Sequence, residues 1–149
     1  MSRSMFLLEP DMIRMCNAHI EACRQAGITL VVYCTRRSEK EQALEYAKGR
    51  AFDTLPESVS RLISDEIREW KVRGLQVGPG AIVTHCHGPD CPHVLGIAYD
   101  CVPIREGKAI WDNDALWQQL GTLGESVGLE WGGRWPHFPD RPHFQQKKE

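Results

Sequence analysis

Two short segments constrain this chain more than anything else in it: CPHVLGIAYD at residues 91–100 and DRPHFQ at residues 140–145. They carry His93, Asp100 and His143, an imidazole, a carboxylate and a second imidazole. A fold that gathers those three side chains makes a metal site, because zinc takes nitrogen and oxygen donors. A catalytic zinc site holds three such donors and leaves a fourth position to water. Asp140, just ahead of His143, would then be the proton-handling group beside that water. A histidine before a strand and a carboxylate carried on it suit the His93–Asp100 spacing, with Gly96 permitting close backbone approach. His143 joins them only through tertiary folding. Spacing alone describes a structural histidine–aspartate pair equally well, and that plainer reading is the commoner one.

The 149 residues, 42% hydrophobic and 26% charged, can bury a core without disulfide staples and argue against disorder. One domain over 1–149 is expected. The balance of 18 basic against 20 acidic residues leaves no excess to grip nucleic acid, and a polycationic arm for an anionic membrane is missing. The apolar run in MSRSMFLLEP is broken by Glu9 and Pro10, short of the roughly 7–15 apolar residues of a signal peptide. No run reaches the roughly 18 residues of a membrane span. These features predict synthesis and first retention in the cytoplasm, without stable membrane insertion.

Residues 10–26 read as a helix, with Pro10 in its first turn, Met12, Ile13, Cys16, Ile20 and Cys23 on one stripe, and Gly27 as its stop. Residues 28–35 are a β-rich run. Ser38 and Glu41 form a capping-box pattern opening a helix to about residue 48. One amphipathic helix is predicted over 57–73, with Val59, Leu62, Ile63, Ile67 and Trp70 on one side. GPGAIVTH returns to strand, 85–92 is a polar loop, and a further strand covers 96–102. A helix over 113–127 precedes short strands at LEWGG and HFQ, which flank the loop RWPHFPDRP. The elements do not alternate as βαβ units, so the expected class is α+β, a small antiparallel sheet with flanking helices.

Cys16 and Cys23 share a helix face, and Cys34 and Cys101 lie in apolar runs where cysteine acts as a small buried hydrophobe. HCHGPDCPH packs His85, Cys86, His87, Cys91 and His93 into nine residues. Loop thiols left unpaired are the leading reading of Cys86 and Cys91. A disulfide in an oxidising compartment and a second metal site stand as alternatives. A structural zinc knuckle needs four closed ligands, and no second pair lies at suitable spacing.

The segment 91–100 resembles the S-x-H-x-x-G-x-A-x-D pattern of the D-Ala-D-Ala metallopeptidase family, with Cys91 in place of the serine. Residues 128–135 and 138–145 resemble its W-x-x-F-x-D-x-P-H-F-like close. Arg37, Ser38, Glu41 and Gln42 match its R-S-x-x-E-Q stretch, residues 46–50 its Y-A-x-G-R, and residues 79–84 its P-G-x-I-V-T. The resemblance covers most of 28–146, with a helical insertion at about 52–76. The family includes VanY-type carboxypeptidases and, as the nearer likeness, the L-alanyl-D-glutamate peptidases of phage endolysins.

The resemblance implies a hedgehog/DD-peptidase-like zinc fold with His93, Asp100 and His143 as zinc ligands, Asp140 as general base and acid, and Arg37 at the oxyanion. By position alone, Arg37 is a solvated residue before a helix cap and Asp140 a turn residue. Trp131, Trp135, His137 and Phe138 either line a groove or serve the core. The implied function is a Zn2+-dependent peptidoglycan peptidase, an endolysin cutting the L-Ala–D-Glu bond of the stem peptide. It would be a monomer, made in the host cytoplasm and reaching the periplasm and wall after a holin-type protein opens the membrane. The alternatives are a D-Ala-D-Ala carboxypeptidase or dipeptidase of the bacterium itself, and a non-catalytic metal-binding domain of the same fold. The last would require loss of a ligand or base, and all four residues are present.

Overall fold

In chain order the elements are α1 (Pro10–Gln25), β1 (Thr29–Cys34), α2 (Glu39–Ala47), α3 (Glu57–Leu62), α4 (Ser64–Val72), α5 (Pro92–Leu95), β2 (Ala98–Arg105), β3 (Lys108–Ala109), α6 (Asp114–Ser126), β4 (Leu129–Trp131) and β5 (His143–Gln146). The computed structural model describes residues 2–148. It divides into two units, residues up to 36 with those from 96 onward, and residues 37–95. Among the described residues no helix is long and apolar enough to cross a membrane.

The first unit holds the sheet, in the order β1-β2-β5-β4, with β3 folded back on the far end of β2. Every pairing is antiparallel, as the α+β reading expected. Alternation along the strands sorts the side chains by face. Tyr99, Trp131 and Phe144 point into the core, where their rings stack at 5.9 and 6.3 Å. Asp100 and His143, one position along, point the other way. α1 and α6 supply the rest of that core through Met12, Cys16, Cys23, Leu116, Trp117 and Leu120. Small residues let α6 close on the sheet: a Cβ at Gly121 would meet the Trp131 ring at 2.3 Å. β2 runs past the expected 102 because Glu106 and Gly107, both at positive φ, make a two-residue hairpin to β3.

His19 was not singled out by its sequence context, yet it is fully buried in α1. Its Nε2–H donates to the Leu120 carbonyl at 3.0 Å, and its Nδ1 accepts from the Tyr99 hydroxyl at 2.7 Å. Burial pushes its pKa down from 6.5 to about 4, against a small opposing pull from Leu120. The folded state therefore favours neutral His19. Its contribution is complete above pH 6.5 and is lost as pH falls toward 4. Urea unfolding at pH 7.5 and pH 4.5 is expected to show roughly 2–3 kcal/mol of acid destabilisation from this group. In His19→Phe that part of the pH slope disappears; an unchanged slope would refute the assignment.

The second unit has its own apolar cluster of Ala43, Ala47, Phe52, Leu55, Val59, Ile63 and Ile67. The helix expected over 57–73 is two helices, α3 and α4, broken at Ile63 (φ −119, ψ 27). Ile63 is fully buried, and its bonds to Val59 and Ile67 persist, so the backbone yields while the apolar stripe is kept. The strand expected in GPGAIVTH does not form; among the described residues the isolated bridges join Lys48 to Gly78 and Ala51 to Val77. Ile82 and Val83 stay exposed, and the Arg50 guanidinium takes the Thr84 carbonyl at 2.9 Å. A β-prone run makes a strand only where a neighbouring ladder receives it.

Candidate active site

The first unit assembles Asp100, Asp140 and His143. The β2–β5 register sets Asp100 directly opposite His143, which brings together residues far apart in sequence. Asp140 reaches them from the loop before β5. Its N–H donates to the Gly132 carbonyl at 2.8 Å, and its own carbonyl accepts from the His143 N–H at 3.2 Å. A side chain at Gly132 would drive its Cβ to 2.5 Å from the Asp140 carbonyl, so glycine is needed for this loop to seat.

His143 Nδ1 lies 3.4 Å from Asp100 Oδ1 and 3.9 Å from Asp140 Oδ2. One donor atom from each of the three residues falls within 4.8 Å of the others. On its other side His143 Nε2 is 2.8 Å from Gln145 Oε1. The Gln145 amide N–H donates to Glu130 at 3.0 Å, so its oxygen faces the ring and Nε2 carries the hydrogen. His143 thus turns Nδ1 toward the two carboxylates. Burial opposes charge on this ring, but Asp100, Asp140 and Gln145 outweigh it and raise its pKa. Two carboxylates facing an imidazole nitrogen are a hard-to-borderline donor set that fits a divalent metal ion.

The second unit carries His93 and Arg37. His93 is buried in α5, and its carbonyl accepts from the Arg37 N–H at 3.0 Å. Arg37 is half-buried and does not take the solvated role its position suggested. Its guanidinium donates to Gln42 Oε1 at 3.1 Å, and Gln42 Nε2 donates to the Cys86 carbonyl at 2.9 Å. Ser38 and Glu41 form the expected capping box at the start of α2. That cap holds the helix carrying Gln42, so the R-S-x-x-E-Q stretch positions an arginine. Arg50 stacks over Tyr46 at 3.8 Å and ties the Y-A-x-G-R and P-G-x-I-V-T stretches together.

Cys86 and Cys91 are joined in a disulfide, which corrects the leading reading of unpaired loop thiols. The chain between them folds back so that their Cα atoms lie 5.9 Å apart, inside bridging range. Cys16, Cys23, Cys34 and Cys101 are buried as expected.

Trp131 belongs to the core, with its indole N–H on the Arg141 carbonyl at 2.8 Å. Trp135 is half-buried with its ring 5.1 Å from that of His143, Phe138 is half-buried and His137 exposed. Tyr33 was read only as part of a strand. It occupies a bulge in β1 opposite the Cys101–Asp100 step, and its phenol pKa is raised by burial and then by the Asp100 and Asp140 carboxylates. No sequence pattern announces a bulge, which arises from mismatch between two strands. Glu130 and Gln145 had a weak signal, since strand alternation puts Gln145 on the same face as His143.

The D-alanyl-D-alanine carboxypeptidase family model matches residues 87–146. The chain is 26% identical over 147 aligned residues to the peptidoglycan L-alanyl-D-glutamate endopeptidase CwlK of Bacillus subtilis (strain 168), covering 93% of this chain and 72% of that protein. Its fold is similar to the Serratia marcescens L-Ala D-Glu endopeptidase ChiX, with a TM-score of 0.56 at 19% identity over 98% of this chain and 87% of that one. It is similar also to the VanY D,D-pentapeptidase from the VanB-type vancomycin resistance cassette in complex with Zn(II). That match has a TM-score of 0.51 at 12% identity, covering 93% of this chain and 72% of that one. The matched segment contains the strand pair that sets Asp100 against His143, and the chain is similar there to the D-alanyl-D-alanine carboxypeptidase family and shares the fold of these peptidase structures.

Proposed function

We propose that this chain is a zinc-dependent peptidoglycan peptidase that hydrolyses the L-Ala–D-Glu bond of the stem peptide. The observation that carries the metallopeptidase reading is the register-set meeting of Asp100, His143 and Asp140. His93, Asp100 and His143 hold the zinc in this reading. Zinc there supplies Lewis acidity that polarises the scissile carbonyl and acidifies water. Asp140, whose carboxylate lies farther from His143 Nδ1 than that of Asp100, takes the proton from water and delivers it to the leaving amine. Arg37, steadied by Gln42, offers a fixed cation to the developing oxyanion.

The choice of bond rests on the similarity to CwlK and on the closing loop. A carboxypeptidase needs a cation for the free carboxylate of its substrate. Arg134 is paired with Glu125 at 3.0 Å and Arg141 with Asp114 at 2.7 Å, so both basic residues of that loop already have carboxylate partners. The Cys86–Cys91 disulfide supports action in an oxidising compartment such as the periplasm or wall. Within this reading the protein is a phage lysis enzyme, a monomer given passage by a holin-type partner.

The second reading, removal of terminal D-Ala, is favoured by the description of the matching family model. Mass spectrometry of muropeptides after digestion of purified peptidoglycan separates the two. Stem peptides beginning at D-Glu, with L-Ala left on the muramic acid, are expected. Release of free D-Ala from an otherwise intact stem would establish the carboxypeptidase instead.

A further inference from the structure

His143 is held from behind by a cross-strand pair, Glu130 and Gln145. The β4–β5 register sets Glu130 opposite Gln145, and strand alternation puts Gln145 on the same face as His143, two positions away. Gln145 is 5% exposed. Its oxygen receives His143 Nε2–H at 2.8 Å, and its nitrogen donates to Glu130 Oε2 at 3.0 Å. The same Glu130 oxygen accepts the Trp135 indole N–H at 3.2 Å. A carboxamide by itself has no preferred orientation, since oxygen and nitrogen differ little in size. Glu130 removes the ambiguity: a carboxylate only accepts here, so the amide nitrogen must face it and the oxygen must face the ring.

We infer that Gln145, oriented by Glu130, is a positioning residue that keeps a proton on His143 Nε2 and turns Nδ1 toward a metal ion beside Asp100. The inference rests on the zinc reading above but makes a claim of its own in the metal-free protein. Outer partners that orient a ligating histidine typically contribute about 10- to 100-fold in metal affinity. Gln145→Leu, close in size, removes the acceptor. Glu130→Leu leaves Gln145 in place but lets its amide turn over, so its effect on affinity is the smaller of the two.

The test uses the full chain with zinc as the probe. Zinc affinity is measured by competition with a chromophoric chelator. The tautomer of His143 is read from long-range proton–nitrogen NMR of the metal-free protein, and circular dichroism checks each variant's fold. The expected result is Nε2–H in the wild type, a loss of Nε2–H population in both variants, and zinc affinity about 10- to 100-fold weaker in Gln145→Leu. A wild type that shows Nε2–H but binds no zinc defeats the zinc reading and leaves the tautomer assignment standing. Zinc bound equally well by wild type and Gln145→Leu, or no proton on Nε2 in the metal-free wild type, overturns the positioning role. If Gln145→Leu fails to fold, the wild-type tautomer and the Glu130→Leu titration decide the matter.

Discussion

Asp140→Ala is expected to keep its zinc and its fold while turnover falls by roughly 10²–10⁴-fold, the usual contribution of a positioned general acid–base group. The fold should survive because Asp140 seats its loop through backbone bonds to Gly132 and His143, which alanine retains. The side chain is half-buried, with its carboxylate 3.9 Å from His143 Nδ1. Metal analysis beside stem-peptide kinetics checks this. Zinc lost together with activity would make Asp140 a ligand and exchange its role with that of Asp100. Turnover near that of the wild type would remove it from the mechanism.

His143→Ala is expected to lose both. The substitution deletes the imidazole that faces Asp100 and Asp140, so near-stoichiometric zinc should drop well below one per chain. Lewis-acid stabilisation of several kcal/mol goes with it, and turnover should fall by roughly 10³-fold or more. His93→Ala is expected to behave alike. Comparing zinc content with residual turnover after dialysis distinguishes the outcomes: full zinc occupancy in His143→Ala would sink the ligand set. The two predictions differ in one measurable respect, since zinc stays in the first variant and leaves in the second.

The elements legible in the sequence were those whose signals are local. A proline at the first turn and a glycine stop bounded α1, a capping box opened α2, and the helix read over 113–127 matches α6. The candidate chemistry was legible for a related reason, because His93, Asp100, Asp140 and His143 sit in short motifs whose residue types are the donors and bases such a reaction needs. Local signals failed where the outcome depended on a neighbour. Residues 81–84 have the composition of a strand but no ladder to join, and Arg50 captures the carbonyl of Thr84 instead. Cys86 and Cys91 could be thiols, disulfide or ligands until the loop brought their Cα atoms to 5.9 Å.

Sequence alone named the candidate side chains for the chemistry, since identity and motif spacing belong to the chain itself. Tertiary structure decided how they are held. The meeting of Asp100 with His143, the pairing of Glu130 with Gln145 and the bulge at Tyr33 are all consequences of strand register. Register is set by which faces of several distant strands must be buried together. His19 shows the same division: its type is written in the chain, but only packing between Tyr99 and Leu120 makes it a neutral buried group.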